Sequence, residues 1–414
     1  MLILSQSLSS SVYYGRDPLG RRSLLQGSAT GTDLLICSAA STEAIQSGVS
    51  FSELDCSSFW KVDLADPAYE RKAIPRAITQ YTKPFKLREL QKEPVSERED
   101  CEEATMPFLS TLSDCVRRRV CHIRQHGYSK DAQVAILFSG GLDCCTLALL
   151  AHMYIDSAQP IDLLNVAFEN PRVLQARSKK DSNDPNATKS LDTFDVPDRK
   201  TGRQSYEELK SLAPTRQWNL VEVNVRHEEY LAERSNVESL MEPCASVMDL
   251  SIASALYFAC RGRGDDGYTS SAKVLLSGLG ADELLGGYSR HRKAFATNGK
   301  QGLVEELQMD LDRLATRNLG RDDRILSSSG KEARYPYLSH SIISYLANLP
   351  VEKKMDFESL PAGQGDKKLL RDVAKHLGLL QTSALVKRAI QFGARSAKME
   401  VGAGKILGHE KLKS

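Results

Sequence analysis

The chain has 414 residues, of which 41% are hydrophobic and 26% charged, a balance typical of globular proteins with room for two domains. Its 55 basic and 53 acidic residues nearly cancel, which gives no electrostatic reason to expect a nucleic-acid or membrane partner. Nine cysteines without a CxxC pair indicate neither a zinc cluster nor a disulfide framework. No apolar run approaches the ~20 residues that cross a bilayer, so a cytoplasmic location is expected.

Residues 1–65 show the pattern of a β-rich domain. Short apolar strand candidates occur at 12–14, 23–25 and 34–38, and turn-prone residues separate them. These strands are too few to close a layered domain, so this part of the chain is predicted to be a partial one. Residues 66–100 are rich in Lys, Glu, Pro and Gln, a composition that fits a linker.

Strands and helices alternate between residue 101 and about residue 400. This pattern predicts a doubly wound parallel sheet with helices on both faces, followed by a helical C-terminal part from residue 304. The segment 171–195 is rich in Ser, Asp, Asn and Lys and is predicted to be a disordered insertion, and 401–414 to be a tail. The predicted strands are 133–138, 161–168, 220–225 and 273–276, and the predicted helices are 107–125, 142–154 and 247–260.

A glycine-rich turn, Ser139-Gly140-Gly141-Leu142-Asp143, joins a predicted strand to a predicted helix. Its two glycines let the backbone approach an anion, and the amide groups at the start of the helix point towards that anion. Ser139 adds a hydroxyl donor, and Asp143 is placed to hold the magnesium ion that accompanies phosphates. The turn lacks the Lys-Ser/Thr ending of a Walker loop. Strand-to-helix turns also favour Ser and Gly for structural reasons, but the aspartate favours a nucleotide site.

A second glycine-rich turn, Ser277-Gly278-Leu279-Gly280-Ala281-Asp282-Glu283, follows the predicted strand 273–276. Loops at the carboxyl ends of neighbouring strands in a doubly wound sheet face one crevice. We therefore expect Asp143 and Asp282 to converge on one metal-bound nucleotide. An acidic, glycine-rich string by itself is more often a surface loop, and its pairing with the first turn favours the site.

These two turns resemble the nucleotide motifs of the asparagine synthetase family, the first of which is its PP-loop. Tyr14-Gly-Arg-Asp-Pro-Leu-Gly-Arg21 resembles a turn of the class-II glutamine amidotransferase domain, and Glu332-Ala-Arg-Tyr-Pro-Tyr-Leu338 resembles the family's E-A-R-x-P-F-L segment. Four further segments resemble a eukaryotic subgroup of asparagine synthetase domain-containing proteins: 167–170, 196–203, 318–324 and 387–393.

The resemblance implies a PP-loop (HUP-like) fold, preceded by a remnant of an Ntn-type glutamine amidotransferase domain. It implies ATP and Mg²⁺ as cofactors and a carboxylate substrate, expected to be aspartate, that is adenylated with release of pyrophosphate before ammonia displaces AMP. The residues implied by position are Leu137 and Val166 at the adenosine, Ser277 and Gly278 near the nucleotide, Ser139, Gly140 and Gly141 at the pyrophosphate, Asp143 and Asp282 at the metal, and Lys387 or Arg388 at the leaving pyrophosphate.

Two positions depart from the family pattern. The family's glutaminase uses an N-terminal cysteine as nucleophile, whereas Met1-Leu2 begins this chain and its first cysteine is Cys37, so no glutaminase activity is expected. Leu279 stands where asparagine synthetases place a glutamate that serves aspartate activation, and leucine cannot transfer a proton. Two hypotheses follow: an ATP-dependent, asparagine-synthetase-type ligase, or an ATP-binding, catalytically weakened homologue that acts through interactions. The remnant turn and the E-A-R segment disfavour a different PP-loop enzyme, such as an NAD or GMP synthetase.

Overall fold

The structure is a computed structural model. Most of the predicted linker, nearly all of the predicted insertion 171–195 and the whole predicted tail 401–414 lie outside the residues it describes. The described residues are 2–6, 10–29, 33–66, 70–75, 100–123, 131–169 and 193–399.

Two small antiparallel sheets form the N-terminal part, as the β-rich pattern predicted. A compact core of Tyr14, Leu24, Leu54 and Val62 joins them. The first sheet has the order β1-β2-β6-β7, and its last strand lies inside the segment predicted as linker, so this part extends beyond residue 65. The strand after β2 does not return beside it but joins the second sheet, of order β4-β3-β5. The elements are β1 (Leu2–Gln6), β2 (Ser11–Gly15), β3 (Leu25–Ser28), β4 (Leu35–Cys37), α1 (Thr42–Gln46), β5 (Ser50–Glu53), β6 (Ser58–Asp63) and β7 (Arg71–Pro75).

Five parallel strands form the central sheet, in the order β10-β9-β8-β11-β12. All eight residues of β9 are buried, which requires cover on both faces and confirms the predicted parallel sheet. The edge strand β12 was not predicted, because its three residues carry no apolar run. The strands are β8 (Val134–Leu137), β9 (Ile161–Phe168), β10 (Trp218–Val225), β11 (Val274–Leu276) and β12 (Glu332–Arg334).

Helices cover this sheet and, apart from β12, are the regular elements of the described chain after residue 304, as predicted. The first of them begins before the predicted start, and Pro107 lies inside it. None of the helices in the described part of the chain has the length and apolar character needed to cross a membrane. The helices are α2 (Asp100–Val120), α3 (Leu142–His152), α4 (Pro197–Leu212), α5 (His227–Met241), α6 (Val247–Arg261), α7 (Ala281–Leu285), α8 (Ser289–Leu314), α9 (Gly320–Ser327), α10 (His340–Asn348), α11 (Val351–Lys354), α12 (Lys368–His376) and α13 (Ile390–Gly393).

A buried ion-pair triad fastens the N-terminal sheets to the helical part. The Glu53 carboxylate lies 2.9 Å from Arg16 Nη1 and also pairs with Arg324 of α9. The Glu53 side chain is 6% exposed and the two arginine side chains are fully buried. Arg16 Nη2 also donates to the Ala315 carbonyl at 3.1 Å, so the arginine of the G-R-D-P turn has a structural role in joining the two parts of the chain.

The strand order creates a crevice at the middle of the sheet. The chain runs outward from β8 through β9 to β10, and then continues on the other side of β8 with β11 and β12. In such a sheet, ligands bind beyond the carboxyl ends of the two strands where the order reverses. Those strands are β8 and β11, and each is followed by one of the two glycine-rich turns.

Candidate functional site

The first turn brings the start of α3 against the start of α4. Gly140 has a φ of +77°, and a Cβ there would lie 2.5 Å from main-chain atoms of Thr201 and Gly202, so glycine is required. The N-cap of α3 is Gly141, which has no side chain to occupy the first amide groups. The Ser139 hydroxyl lies 3.4 Å from the Gly141 nitrogen. No side chain of the N-cap residue therefore covers the first amide groups of α3, which is the geometry of a helix start that can bind an anion.

The second turn lies directly against the first. A Cβ at Gly278 would be 3.0 Å from the Asp143 Cβ, and the Ser277 amide donates to the Arg334 carbonyl at 3.0 Å. The Glu283 carboxylate accepts hydrogen bonds from the Gly280 amide (3.0 Å) and the Tyr288 hydroxyl (2.6 Å). This glutamate therefore shapes the turn, while the neighbouring Asp282 is left to face the crevice.

One buried ammonium group joins the two predicted metal carboxylates. Lys367 Nζ lies 2.7 Å from Asp143 Oδ2 and 2.6 Å from Asp282 Oδ1, and the lysine side chain is 3% exposed. Lys367 immediately precedes α12 and has a φ of +54°, an uncommon conformation for a side chain of this size. The structure thus brings Asp143 and Asp282 together on one cation, as expected for groups that share one site.

These charges shift one another's ionisation. Burial raises the pKa of the Asp143 carboxyl, against the lowering effect of the Lys367 ammonium. Burial acts in the same direction on Asp282, but the Lys367 and Lys387 charges outweigh it and lower the pKa of that carboxyl. Despite burial, the two carboxylates raise the pKa of Lys367. The site therefore holds a persistent ammonium beside two carboxylates of unequal acidity.

Lys387 and Arg388 point to different places. Lys387 Nζ lies 3.1 Å from Asp282 Oδ2 and 3.8 Å from the centre of the Tyr288 ring, so it belongs to the crevice. Arg388 is 46% exposed, and its Nη1 lies 3.9 Å from Asp198 Oδ1. Of the two basic candidates for the leaving pyrophosphate, Lys387 is the one that contacts a predicted metal carboxylate, that of Asp282.

Leu137 and Val166 lie where the pairing of β8 with β9 ends. The last paired residues are Leu137 and Leu164, and the Phe138 amide donates to the Leu164 carbonyl. Further along β9, the Phe168 amide donates to Ala394 instead. Since alternate residues of a strand direct their main-chain groups to the same side, the Val166 peptide faces the gap beyond the end of β8.

Lys367 and Asp198 were not among the predicted site residues. Lys367 lies 224 positions after Asp143 and has no motif of its own, although the Gly-Asp that precedes it is a turn signal. Asp198 belongs to the segment 196–203, which resembles the eukaryotic subgroup but for which the sequence suggested no role. Its main-chain carbonyl accepts from the Asn165 side chain at 2.9 Å, and the same amide group donates to Phe138 beside the first turn.

The buried carboxyl of Asp198 should make the free energy of unfolding depend measurably on pH. Its side chain is 7% exposed, and burial raises its pKa to about 7 despite the Arg388 charge. Because the pKa of Asp198 is higher in the folded than in the unfolded chain, the protonated carboxyl stabilises the fold at low pH. This contribution is lost as the pH rises through about 7. Asp198→Asn should therefore be more stable than the parent at pH 8, by up to about 4 kcal/mol, with little difference near pH 4. Urea unfolding across this pH range measures it.

Asp195→Asn is the matched control, because Asp195 lies three residues away, is 42% exposed and pairs with Lys200. It should follow the parent at every pH. An Asp198→Asn curve parallel to that of the parent would contradict the assigned pKa.

The crevice has the donor set that a magnesium nucleotide requires. Mg²⁺ is commonly held by one or two carboxylates together with substrate phosphates, and Asp143 and Asp282 supply two. In the described part of the chain, no group of three or more His, Cys, Asp or Glu side chains could hold a metal ion, so the remaining ligands would be phosphate oxygens and water. Gly287 packs against the Asp282 carboxylate, where any side chain would collide with it. Asp143, Asp282 and the neighbouring Gly287 therefore fit a magnesium-bound nucleotide.

The chain is similar to several known proteins. Residues 109–304 and 295–407 match the family model described as asparagine synthase, a family that uses ATP with Mg²⁺. Asparagine synthetase domain-containing protein 1 of Mus musculus is 43% identical over 326 residues, covering 71% of this chain and 52% of the relative. An asparagine synthetase domain-containing protein of Saccharomyces cerevisiae is 35% identical over 407 residues, covering 94% and 69%. A glutamine-hydrolyzing asparagine synthetase of Mesocricetus auratus is 25% identical over 409 residues, covering 96% and 63%. The chain spans about half the length of the mouse protein.

Proposed function

Since this chain belongs to the asparagine synthase family, we propose that it is an ATP-dependent ligase that adenylates the side-chain carboxylate of aspartate, releases pyrophosphate and transfers ammonia. The observation that carries the proposal is the convergence of Asp143 and Asp282, from two separate glycine-rich turns, on the Lys367 ammonium. A nucleotide site needs anion-binding amides, metal carboxylates and fixed positive charge, and this crevice combines all three.

The donor, cationic and acidic groups of the crevice would have different roles in the reaction. The amides at the start of α3 and the Ser139 hydroxyl would bind the departing phosphates. Lys387 would neutralise the charge that develops on pyrophosphate, because it is held beside Asp282 and against the Tyr288 ring. Lys367 would keep the two carboxylates in place. Asp143 and Asp282 would hold Mg²⁺, which would neutralise negative charge on the phosphate oxygens.

Pyrophosphate release from ATP tests the proposal. The full chain is incubated with ATP and Mg²⁺, with and without aspartate and with and without ammonium. We expect pyrophosphate to appear when aspartate is present, and asparagine to form when ammonium is added. Binding of ATP without any aspartate-stimulated release would contradict the ligase.

A second candidate function rests on Leu279. This side chain is half-buried against the core, in the turn that holds Ser277 and Gly278. It supplies neither charge nor proton transfer at the place where the resemblance expects glutamate. The observation favours an ATP-binding, catalytically weakened homologue that acts through interactions, and the release assay separates the two functions.

Leu279→Glu should increase aspartate-dependent pyrophosphate release. A carboxylate at this position would restore a proton-transfer or charge-pairing group, and such groups typically contribute about 100-fold or more. We expect a gain of at least about tenfold, because the half-buried surroundings are built for leucine. Leu279→Gln is the matched control of similar shape and should show no gain. Equal rates for Leu279→Glu and the parent would show that this position does not limit activity.

A further inference from the structure

A second cavity, of about 580 Å³, lies at the opposite end of the central sheet from the glycine-rich turns. Lys273 directly precedes β11 and Lys331 directly precedes β12, so both stand at the amino ends of these strands. Ser277, in the candidate nucleotide site, follows β11 at its carboxyl end. The cavity is therefore separated from that site by the length of the sheet.

The lining of this cavity carries positive charge without acidic residues. Four of its side chains are cationic and none is Asp or Glu. The charge of Arg261 is neutralised by two carboxylates, since Arg261 pairs with Glu229 at 3.5 Å and with Glu233 at 3.4 Å. The other three cations, Arg263, Lys273 and Lys331, have no carboxylate within 4 Å among the residues that the structure describes.

Two buried residues that line the cavity have donor groups. Lys331 is 8% exposed, and its Nζ donates to the carbonyls of Ser270 (3.1 Å) and Ala272 (2.6 Å), which leaves one of three hydrogens for a ligand. Ser270 is 4% exposed, and its hydroxyl has no hydrogen-bond partner in the described part of the chain. A buried hydroxyl without a partner costs free energy, and a bound acceptor would remove that cost.

Burial lowers the pKa of Lys331, and the nearby Lys273 charge acts in the same direction, against the raising effects of Cys260 and Asp162. An anion in the cavity would favour the charged form and offset both effects. The volume also lies in the range of roughly 300–1,000 Å³ that is typical of small-molecule sites. Leu240 and Tyr257 add apolar surface to the lining, which suits a ligand that carries more than phosphate alone.

We propose that this cavity binds a phosphate-bearing small molecule through Arg263, Lys273, Lys331 and the Ser270 hydroxyl. The site is distinct from the candidate nucleotide site and does not depend on the proposed ligase activity. Its ligand is of nucleotide size or smaller, and its anionic groups contact the amino ends of β11 and β12.

Calorimetric titration of the full chain with inorganic pyrophosphate, without Mg²⁺ and at low salt, tests the site. The parent should bind pyrophosphate at the cavity in addition to the glycine-rich turns. The double variant Arg263→Ala/Lys273→Ala should weaken the cavity event at least about tenfold, since charged hydrogen bonds are typically worth that much each. Both side chains are exposed, so the variant should fold and keep any aspartate-dependent pyrophosphate release.

Lys210→Ala/Lys300→Ala is the matched control, because it removes two exposed cations elsewhere and changes the net charge equally. It should bind pyrophosphate as the parent does. Identical titrations of the parent and the cavity variant would overturn the site, and so would an equal loss in the control.

Ser270→Ala separates ligand binding from a structural role. It should weaken pyrophosphate binding about threefold or more, as expected for loss of a neutral hydrogen bond. Its melting temperature should be unchanged or higher, because it removes a buried hydroxyl that has no partner in the described chain. Unchanged affinity would remove Ser270 from the proposed site, and unchanged affinity in both cavity variants would overturn the proposal.

Discussion

Asp143→Ala should lower aspartate-dependent pyrophosphate release by about 1,000-fold or more. The Asp143 carboxylate accepts from Lys367 at 2.7 and 2.8 Å and is one of the two carboxylates proposed to hold the metal. Without it, the charge that forms on the leaving pyrophosphate loses part of its neutralisation, and the Lys367 ammonium keeps only Asp282. The rate of pyrophosphate formation at saturating ATP measures the effect.

Asp312→Ala is the matched control for this change. Asp312 is exposed on α8, and its carboxylate accepts from the Gln308 side chain, away from the crevice. It should keep the parent rate. Circular dichroism must show both variants folded, and a folded Asp143→Ala chain within tenfold of the parent rate would contradict the assigned role.

Glu53→Ala should lower the free energy of unfolding by about 3–5 kcal/mol. The change leaves Arg16 and Arg324, both fully buried, without the carboxylate that they share. The arginines keep main-chain acceptors, Arg16 at Gly20 and Arg324 at Leu240, but these oxygens carry no full negative charge. Urea unfolding measures the loss, and because the triad joins two parts of the chain, the transition should also become less cooperative.

Glu207→Ala is the control for the buried triad. Glu207 is 66% exposed and pairs with Lys210 on the same helix, a type of contact worth about 0.5 kcal/mol. Its unfolding midpoint should match that of the parent. A loss below about 1 kcal/mol in Glu53→Ala would mean that water reaches the two guanidinium groups.

Local sequence patterns were sufficient for most of the central sheet. The strand Ile161–Phe168 was predicted to the residue, because a mostly apolar run of this length between Pro160 and Glu169 favours a buried strand, even though it contains Asp162 and Asn165. The edge strand Glu332–Arg334 was missed, since its pairing with Val274–Leu276 and not its composition makes it a strand. For the same reason, the strand Arg71–Pro75 was placed in a linker.

The sequence by itself determined the two glycine-rich turns, because the left-handed φ of Gly140 and the start of α3 are local properties of adjacent residues. It also placed Asp143 and Asp282 at the same end of the sheet, since the alternation of strands and helices indicates parallel strands. That β8 and β11 are neighbours, which brings the two carboxylates together, is a property of the tertiary structure. Only the tertiary structure decided which cation meets them. Lys367 and Lys387 reach the crevice from segments that follow the sheet by more than 30 residues, and no local pattern encodes their distance from a carboxylate.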